Sequence, residues 1–524
     1  SDLFKRGYFM KKIICLLFAV LFFVSCSSVK SVNSKSLASE KTEDEKQIKV
    51  IDGLLTQLVS SSPDVAWYRM AEEYRIAVSE ADFCNRWNES IKNLGEFQTK
   101  TVSKISSSIH YSKYLAKLTF AQGDLNLIFV MSGNSIFPID LIYTDSISEQ
   151  KYYEYTKEDA ESESLGELCA PFFRLGCGIT GGSTHDTAVK VPKFMETVEK
   201  HFTSATYTNL MKPSYLLSQA GSIKSAKDGN GEPVLNFSAC DPLLQWAKKH
   251  NKQIRGHTLV WHVQVPEWFF RVDYKSDGEL VSKDVMKFRM ESYIRQYLTY
   301  VQTNYPGVVY CWDVVNEAVD PSRGDPDSYF ACRRFDGDGQ RKNLWYWTMG
   351  PEYVELAFTY ARKYADPNVK LFYNDFSTVD LKKRECIFEL CSDLAKKGII
   401  DGIGMQGYWD VKNPSLKTIK DTIERFAETG LEIQLTEWSI SAPTEDEAGF
   451  ATQAERYASI FRLLQKLDTQ GGGKANITCV SFFGVQDHYV LSKTDKTTSR
   501  LFDRNFDPKP VYYAIADTFK LYCN

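Results

Sequence analysis

The sequence lacks features that mark several large classes of protein. Over 524 residues, 63 Lys and Arg are balanced by 67 Asp and Glu, which leaves a net charge of -4. There is no basic stripe of the kind that binds a nucleic acid. No apolar run is followed by a GxxxxGKS or GxxxxGKT phosphate loop. We therefore expect neither a nucleic-acid partner nor a cofactor.

Cysteine and histidine are too scattered to indicate a disulfide scaffold or a metal site. Two of the 12 cysteines, Cys15 and Cys26, fall in the N-terminal leader, and the others form no CxxC pair or zinc-type Cys/His spacing. His257 and His262 are five residues apart, but no third ligand has a suitable spacing. The run 336–339, Asp-Gly-Asp-Gly, lacks the rest of an EF-hand loop and predicts an ordinary turn. No metal is expected.

Residues 1–26 have the pattern of a signal peptide that ends in a lipobox. Lys11 and Lys12 precede the apolar run 13–24, and a small residue stands directly before Cys26. The apolar run is too short for a transmembrane helix. We expect Cys26 to be lipidated and the protein to be exported and anchored in the cell envelope or at the cell surface. Plain secretion, with Cys26 incidental, is the alternative.

Two further segments precede the main body of the chain. Residues 27–47 are rich in Ser, Lys and Glu, which predicts a flexible linker. In residues 48–163, three helix-like stretches precede three strand-like runs, at 50–59, 66–78, 81–94, 107–120, 125–131 and 136–143. This order predicts a small α+β accessory domain. With Trp87 and the run 95–97, Gly-Glu-Phe, it resembles the cystatin-like domains ahead of some secreted bacterial hydrolases. A spacer and a glycan- or partner-binding module are both compatible with it.

Residues 165–524 alternate apolar runs with amphipathic helical periods. The strand-like runs number eight, at 173–179, 203–209, 254–261, 308–320, 369–377, 401–407, 432–440 and 477–485. The helical periods lie at 191–201, 282–305, 351–365, 382–397, 416–428, 447–468 and 511–522. Eight strand-helix units predict a (β/α)8 TIM barrel, whose active site lies at the C-terminal strand ends. Patterning alone leaves an open doubly wound sheet as an alternative.

Two of the eight runs carry a glutamate near their C-terminal end. Glu317, with Asn316 beside it, lies near the end of the fourth run, and Glu437 lies near the end of the seventh. Retaining glycoside hydrolysis needs one carboxylic acid and one carboxylate roughly 5 Å apart. Polar residues also end most other runs, namely Asn209 with Lys212, His257 with Trp261, His262 and Gln264, Asn374 with Asp375, Gln406 with Tyr408, and Gln486 with Asp487. The clustering predicts an active site at one barrel mouth.

Six motifs then carry a specific resemblance. They are GHTLVWH at 256–262, DVVNEAV at 313–319, YNDF at 373–376, GIGMQ at 402–406, QLTEW at 434–438 and LFDRNFDPKPVYYAI at 501–515. In this order they resemble family 10 glycoside hydrolases, the endo-β-1,4-xylanases. The resemblance implies a retaining endo-xylanase on a TIM barrel. Glu317 would be the general acid/base and Glu437 the nucleophile.

The same resemblance implies a set of substrate-binding residues. Asn316 would hydrogen-bond the sugar 2-hydroxyl, and Gln406 would lie beside the nucleophile. The glycone side of the cleft, which holds the non-reducing part of the chain, would be lined by Asn209, Lys212, His257, Trp261 and Gln264. Asn374, Tyr408 and Phe483 complete the predicted set.

Several positions depart from the family pattern, and four of them bear most directly on the site. Thr208 stands where a glutamate is usual, and Phe483 replaces a roofing tryptophan. Tyr408 stands where the family has the histidine that bonds the nucleophile, and Ser439 where that histidine has its aspartate partner. We hypothesise that the Tyr408 hydroxyl donates to Glu437 and favours its ionised form.

The predicted substrate is xylan, and the predicted protein is a monomer that meets the membrane through Cys26. Two other functions stay open from the sequence. One is a retaining hydrolase of another β-1,4 or mixed-linkage glucan, because the altered glycone residues could admit another backbone. The other is a catalytically inactive glycan-binding lipoprotein, against which the presence of both Glu317 and Glu437 argues.

Overall fold

A computed structural model describes residues 34–108, 110–133, 135–142, 153–154, 156–181, 188–337, 339–488 and 496–520. The predicted signal peptide and the lipidation of Cys26 lie outside these residues. The chain divides into two compact units, Ser1–Val50 and Ile51–Asn524. Among the described residues, no helix combines the length and apolar character needed to span a membrane.

The predicted linker is partly helical. From Ser34 onward its residues form the start of the helix Ser34–Val59, because they include good helix formers such as Glu, Lys and Ala and no Gly or Pro. Residues 27–33 lie outside the described part. The linker boundaries and its flexibility therefore stay a prediction.

Residues 51–163 contain helices followed by an antiparallel meander, the order that the sequence predicts. After Ser34–Val59, the helices are Pro63–Tyr68, Glu72–Ala77 and Glu80–Ile91. The sheet contains, in spatial order, Ser135–Ile142, Gly123–Ser132, Ser112–Phe120, Phe97–Ser107 and the short Tyr153–Glu154. The strand Phe97–Ser107 was not predicted from the sequence. The cystatin-like resemblance stays a prediction.

Eight parallel strands of the second part close into a barrel, which confirms the predicted fold class. In chain order they are Arg174–Ile179, Ser204–Tyr207, Gln253–Trp261, Val309–Asn316, Lys370–Asp375, Gly402–Met405, Glu432–Ile440 and Asn476–Phe482. Each pairs with the next, and the eighth pairs with the first. This closure rules out the open doubly wound sheet. We number the barrel strands one to eight in this order.

Helices surround the barrel, and their amphipathic periods explain why they pack on it. Those of the seven predicted periods are Pro192–His201, Lys283–Asn304, Tyr353–Tyr364, Leu381–Lys396, Leu416–Ala427, Glu447–Leu467 and Pro510–Lys520. Shorter helices are Lys157–Ser162, Leu165–Cys169, Pro213–Leu216, Gln219–Asp228, Asp241–Lys249 and Leu344–Met349. Two-residue strands occur at Leu217–Ser218, Val234–Leu235 and Tyr408–Trp409.

Residues 51–163 pack against two of the barrel helices. Arg462 of Glu447–Leu467 forms an ion pair with Glu73 at 2.7 Å, and both side chains are largely buried. Asp517 of Pro510–Lys520 accepts a hydrogen bond of 2.7 Å from the Ser108 hydroxyl. Residues 51–163 are therefore joined to the barrel by polar contacts with these two helices. The contacts are separate from the strand ends that carry Glu317 and Glu437.

Candidate active site

Glu317 and Glu437 lie at the same mouth of the barrel. Glu317 directly follows the fourth strand, and its positive φ of 59° turns its side chain out of the strand direction. Its backbone N–H donates to the Asn374 carbonyl at 2.8 Å. Glu437 lies near the end of the seventh strand, and its N–H donates to the Gln406 carbonyl at 3.0 Å. Barrel pairing thus brings two carboxylates 120 residues apart to one face.

Every hydrogen bond to these two carboxylates in the described structure comes from a neutral group. Glu317 Oε1 accepts from Gln406 Nε2 at 2.8 Å, and Oε2 accepts from Trp261 Nε1 at 3.0 Å. Glu437 Oε1 accepts from Asn374 Nδ2 at 3.1 Å, and Oε2 accepts from the Tyr408 hydroxyl at 2.5 Å. Both carboxylates are therefore oriented without a cation in direct contact.

Amide side chains link the two carboxylates into one network. The oxygen of Asn316 accepts from Asn374 Nδ2 at 2.9 Å and from Gln406 Nε2 at 3.4 Å. Thr436 donates to the Asn374 oxygen at 2.7 Å and so fixes which end of that amide faces the glutamates. Since the oxygen of Asn316 is used inward, its NH2 group has no protein partner in the described part of the chain. That group is available for a sugar hydroxyl, the contact predicted for Asn316.

A glycine allows this network to form. A Cβ added at Gly404 on the sixth strand would lie 2.4 Å from the Asn374 oxygen. A side chain there would displace Asn374 and with it the donor to Glu437. Gln406, two residues later, was predicted beside the nucleophile. Its carbonyl does bond the Glu437 backbone, while its side chain donates to Glu317.

The electrostatic environment of Glu317 raises the pKa of its carboxyl group. Burial raises its pKa above the ordinary value, and the negative charges of Asp375 and Glu437 raise it further. The bonds from Gln406 and Trp261 lower it only in part. A carboxyl group with a raised pKa stays protonated closer to neutral pH, which is the property that a general acid needs.

Four of the five predicted glycone residues form a compact polar cluster. Lys212 Nζ donates to Gln264 Oε1 at 2.8 Å and to Asn209 Oδ1 at 3.3 Å. It also lies 4.5 Å from the centroid of the Trp261 ring. Burial lowers the pKa of Lys212 to about 8, although Glu437 and Glu317 act in the opposite direction. The fifth residue, His257, shares a 2.8 Å hydrogen bond between its Nδ1 and Asp313.

The positions that depart from the family pattern are clearly placed. The hypothesised hydrogen bond from Tyr408 to Glu437 is present, and the ring of Phe483 packs edge-on against Tyr408 at 5.6 Å. Ser439 does not bond the Tyr408 hydroxyl; it donates to Ser499 at 2.8 Å. Thr208 turns its hydroxyl towards a backbone carbonyl, 3.4 Å away, and so offers little to a sugar.

Three basic residues of the site were missed by the sequence analysis. Arg333 Nε donates to the Glu317 carbonyl at 2.8 Å, and Lys383 Nζ donates to Asp375 at 2.6 Å. Arg500 reaches Ser439, with its Nη1 at 3.3 Å from the hydroxyl. Arg333 and Arg500 lie in irregular segments with no periodic pattern. Only the position of Lys383 in the first turn of a helix directly after the fifth strand could have suggested proximity.

Other residues singled out from the sequence are structural. Burial lowers the pKa of His262 well below its usual range, and nearby Arg333 lowers it further, so the ring stays neutral. Asp487 pairs with Lys509 at 2.5 Å. Within the described residues, no group of three or more His, Cys, Asp or Glu has an arrangement that could hold a metal ion.

Comparisons with known proteins agree with this geometry. The model of "Glycosyl hydrolase family 10" matches residues 164–518. A putative endo-1,4-beta-xylanase of Caldicellulosiruptor saccharolyticus is 42% identical over 315 residues, which are 58% of this chain and 95% of that protein. Endo-1,4-beta-xylanase B of Butyrivibrio fibrisolvens is 36% identical over 349 residues, 66% of this chain and 51% of that protein.

Solved structures give the same result. The N-terminal modules of the endo-1,4-beta-D-xylanase 10B of Clostridium thermocellum, in complex with xylohexaose, match with a TM-score of 0.60 and 27% identity, covering 80% of this chain and 81% of that one. An intracellular xylanase of Thermoanaerobacterium saccharolyticum matches with a TM-score of 0.55 and 30% identity, covering 67% and 98%. Because the family model spans well over half of the sequence, the chain belongs to glycosyl hydrolase family 10.

Proposed function

We propose that this protein is an endo-acting retaining glycoside hydrolase that cleaves internal β-1,4-xylosidic bonds of xylan. The observation that carries the proposal is the pair Glu317 and Glu437 at one mouth, each oriented by neutral donors, with the pKa of Glu317 raised. The relatives named endo-1,4-beta-xylanases and the relative solved with xylohexaose support xylan as the substrate.

In the first step Glu317 gives its proton to the glycosidic oxygen while Glu437 attacks the anomeric carbon from the opposite face. The C–O bond to the leaving chain breaks, and an ester bond to Glu437 forms. Trp261 and Gln406 each donate to one oxygen of Glu317 and so fix the plane of its carboxyl group. The fixed plane determines the direction in which Glu317 gives its proton. The free NH2 group of Asn316 binds the sugar 2-hydroxyl.

In the second step Glu317 acts as a base. Esterification removes the negative charge of Glu437, which is one of the charges that raises the pKa of Glu317. Glu317 therefore ionises more easily in the glycosyl-enzyme and accepts a proton from the attacking water. Water attacks the anomeric carbon, the ester bond breaks, and Glu437 returns to its carboxylate form with net retention.

Substrate binding on the glycone side falls to the cluster around Lys212. Lys212, Asn209 and Gln264 bond one another and present polar atoms beside Trp261. An indole face is a platform for the apolar face of a sugar ring. His257 borders the same space as Glu437 and Phe483.

Location and assembly belong to the same proposal. The protein is exported, lipidated at Cys26, anchored in the cell envelope or at the cell surface, and monomeric. Support comes from the charged, apolar and small residues that precede Cys26. Cys26→Ala in the full-length protein should move it from the membrane fraction to the soluble fraction. If the variant stays in the membrane fraction, lipid anchoring at Cys26 is wrong.

The substrate and both roles can be tested together. Arabinoxylan, glucuronoxylan, mixed-linkage glucan and carboxymethylcellulose are incubated with the wild type and with Glu437→Ala, and the products are identified. We expect short xylo-oligosaccharides from the two xylans and no product from Glu437→Ala. Full activity of the variant would contradict the role of Glu437. Cleavage of glucan without cleavage of xylan would contradict the substrate.

Azide separates the two carboxylates. It can enter the space left by Glu437→Ala and attack from the nucleophile's side, which gives an α-glycosyl azide from an aryl xyloside. In Glu317→Ala it attacks the glycosyl-enzyme from the opposite side, which gives the β-glycosyl azide. The opposite assignment of α and β products would reverse the two roles.

A further inference from the structure

Tyr408 reaches Glu437 from a position where packing alone does not fix its ring. It begins the short strand Tyr408–Trp409, which pairs with the end of the seventh strand so that Tyr408 faces Ser439. Its hydroxyl donates to Glu437 at 2.5 Å, yet the residue is 49% exposed. A half-exposed tyrosine has other rotamers available, so a short bond to a carboxylate requires a second contact that holds the ring.

Phe483 and Arg500 provide that contact. The rings of Tyr408 and Phe483 meet edge-on, with centroids 5.6 Å apart and planes at 79°. The guanidinium carbon of Arg500 lies 5.9 Å from the centroid of the Phe483 ring. Edge-on aromatic pairs and cation–π contacts are both attractive at these distances. Tyr408, Phe483 and Arg500 thus form a continuous row that ends at Glu437.

The guanidinium is anchored to the strand that carries Glu437. Arg500 Nη1 donates to the Ser499 hydroxyl at 2.9 Å and lies 3.3 Å from the Ser439 hydroxyl. The backbone N–H of Arg500 donates to Asp487 Oδ1 at 2.8 Å, which holds the main chain at this position. Ser439 is the strand neighbour of Tyr408 and lies two residues beyond Glu437. Arg500 therefore contacts both sides of the Tyr408–Glu437 bond, through Phe483 and through Ser439.

We propose that Arg500 is a positioning residue, which holds Tyr408 in place through Phe483 and Ser439 so that the phenol remains a fixed donor to Glu437. The inference rests on the proposed function, because it takes Glu437 as the nucleophile. It assigns to this chain a phenol and a guanidinium at the place where the family pattern has an imidazole and a carboxylate. The hydrogen-bond donor to Glu437 is then a phenol, which does not titrate near neutral pH.

The charges around the bond are consistent with this role. Tyr408 bonds Glu437 and lies close enough to Glu317 and Arg500 for their charges to act on it. Desolvation of the hydroxyl group and the two carboxylates raise the pKa of Tyr408, and Arg500 opposes them, so the phenol keeps its proton over the range in which an enzyme operates. Glu437 is also close enough to Lys212 for their charges to interact, and it lines one small cavity with His257, Arg255 and Asp313.

The central experiment is a double-mutant cycle of Arg500→Gln and Tyr408→Phe on a xylo-oligosaccharide. Tyr408→Phe removes a donor to a reacting carboxylate, and we expect kcat to fall about 10²-fold. Arg500→Gln only loosens that donor, so a roughly tenfold fall is expected, with KM changed less than about twofold. If Arg500 acts through Tyr408, Arg500→Gln has almost no further effect on Tyr408→Phe.

The pH profile provides a readout that a merely structural role would not change. A weakened donor stabilises ionised Glu437 less, so the acid limb of kcat/KM should move to higher pH in Tyr408→Phe and by less in Arg500→Gln. Arg500→Lys keeps the cation over Phe483 and should recover part of both effects. Arg504→Gln removes an equal charge from an exposed position four residues away and should leave both parameters unchanged.

The outcomes separate this inference from the proposed function. Additive losses in the cycle, or an Arg500→Gln enzyme with the acid limb of the wild type, would overturn the role of Arg500. A wild type that does not cleave xylan, or an active Glu437→Ala, would overturn the function itself. Thermal melting of each variant identifies any that fails to fold, and in that case Arg500→Lys replaces Arg500→Gln in the cycle.

Discussion

Two sets of carboxylates, Glu317 with Glu437 and Asp313 with Asp375, lie on or directly after the fourth, fifth and seventh barrel strands and have opposite kinds of partner. At the mouth, Glu317 and Glu437 accept hydrogen bonds from amides, an indole and a phenol. Four residues before Glu317, on the fourth strand, Asp313 is paired with Arg255. The distance from Arg255 Nε to Asp313 Oδ2 is 3.1 Å. Asp375, at the end of the fifth strand, is paired with Lys383 at 2.6 Å. Asp313, Asp375 and Glu437 are buried and Glu317 is partly buried, so the main difference between the two sets lies in their partners.

The difference follows from what each carboxylate has to do. Burial alone would raise the pKa of Asp313, but Arg255 and then His257 hold it below its usual value, so it stays ionised. Glu317 has no such partner, and its pKa is raised. Double displacement requires each glutamate to change its charge during one cycle. Neutral donors permit that change, whereas a buried cation would oppose it.

The largest effect expected from this comparison is on activity at the mouth. Glu317→Gln keeps the shape of the side chain and removes the proton donor, so kcat/KM on xylan should fall about 10²- to 10⁴-fold. Stability should change by less than about 1 kcal/mol, because no buried cation loses its partner. Kinetics with xylan and with a dinitrophenyl xyloside would check this. The aryl substrate needs little protonation and should lose much less, and equal losses would contradict the acid role.

The interior pair should show the reverse behaviour. Arg255→Met leaves Asp313 buried without its main cation, and we expect the free energy of unfolding to fall by about 3–5 kcal/mol. Urea unfolding measures this loss. Arg255→Met combined with Asp313→Asn should recover part of it, because the second change removes the unpaired charge. If Arg255→Met costs less than about 1 kcal/mol, the contrast between the two sets of carboxylates does not hold.

The fold was predictable because its signals are local. Each of the eight barrel strands coincides with a β-branched or apolar run that was predicted within a few residues, as Lys370–Asp375 is by 369–377. Elements with weak patterns were missed. Phe97–Ser107 has few apolar residues and a mostly exposed first half, and Gln219–Asp228 is polar and buries only Ser222. Tertiary contacts, which no local window contains, stabilise these elements.

Only those site residues that lie at strand ends or in recognised motifs could be predicted from the sequence. Glu317, Glu437 and Asn316 were predicted at one barrel mouth and lie there, because barrel geometry brings strand ends together. Arg333 and Arg500 were not foreseen, since each contacts its partner from an irregular segment. Arg500 lies 61 residues beyond Ser439, and no pattern between them indicates their contact. Nor does any sequence pattern indicate which oxygen of each glutamate accepts a hydrogen bond from which donor.

Asp517 is a further carboxylate that accepts hydrogen bonds from neutral donors, and it lies outside the barrel mouth. It accepts from Ser108, and burial raises its pKa to about 6. Because the folded pKa lies above the unfolded value, its favourable contribution is present below about pH 4 and is lost as the pH rises through 6. Asp517→Asn should therefore stabilise the protein at pH 7 by on the order of 1–2 kcal/mol.

Urea unfolding from pH 4 to 8 would measure this effect. The neighbouring His110, whose pKa burial lowers to about 4, acts in the opposite direction, because its contribution is lost as the pH falls below about 6.5. The difference between wild type and Asp517→Asn removes the His110 contribution. A variant that is less stable than the wild type at pH 7 would show that the hydrogen bonds of Asp517 outweigh its burial.

The smallest expected effect is a shift in one limb of the pH profile of kcat/KM. It tests how Asp375, from one set of carboxylates, influences Glu317, from the other. The charge of Asp375 is the main electrostatic influence, after burial, that raises the pKa of Glu317. Asp375→Asn removes that charge and also leaves the Lys383 cation uncompensated nearby, and both changes favour ionised Glu317. Since Glu317 must be protonated to act as an acid, the basic limb of kcat/KM should move to lower pH, while the acid limb stays in place. Glu389→Gln removes an exposed charge from the helix Leu381–Lys396 and serves as the control. A shift to higher pH, or one no larger than in the control, would show that Asp375 does not control the acidity of Glu317.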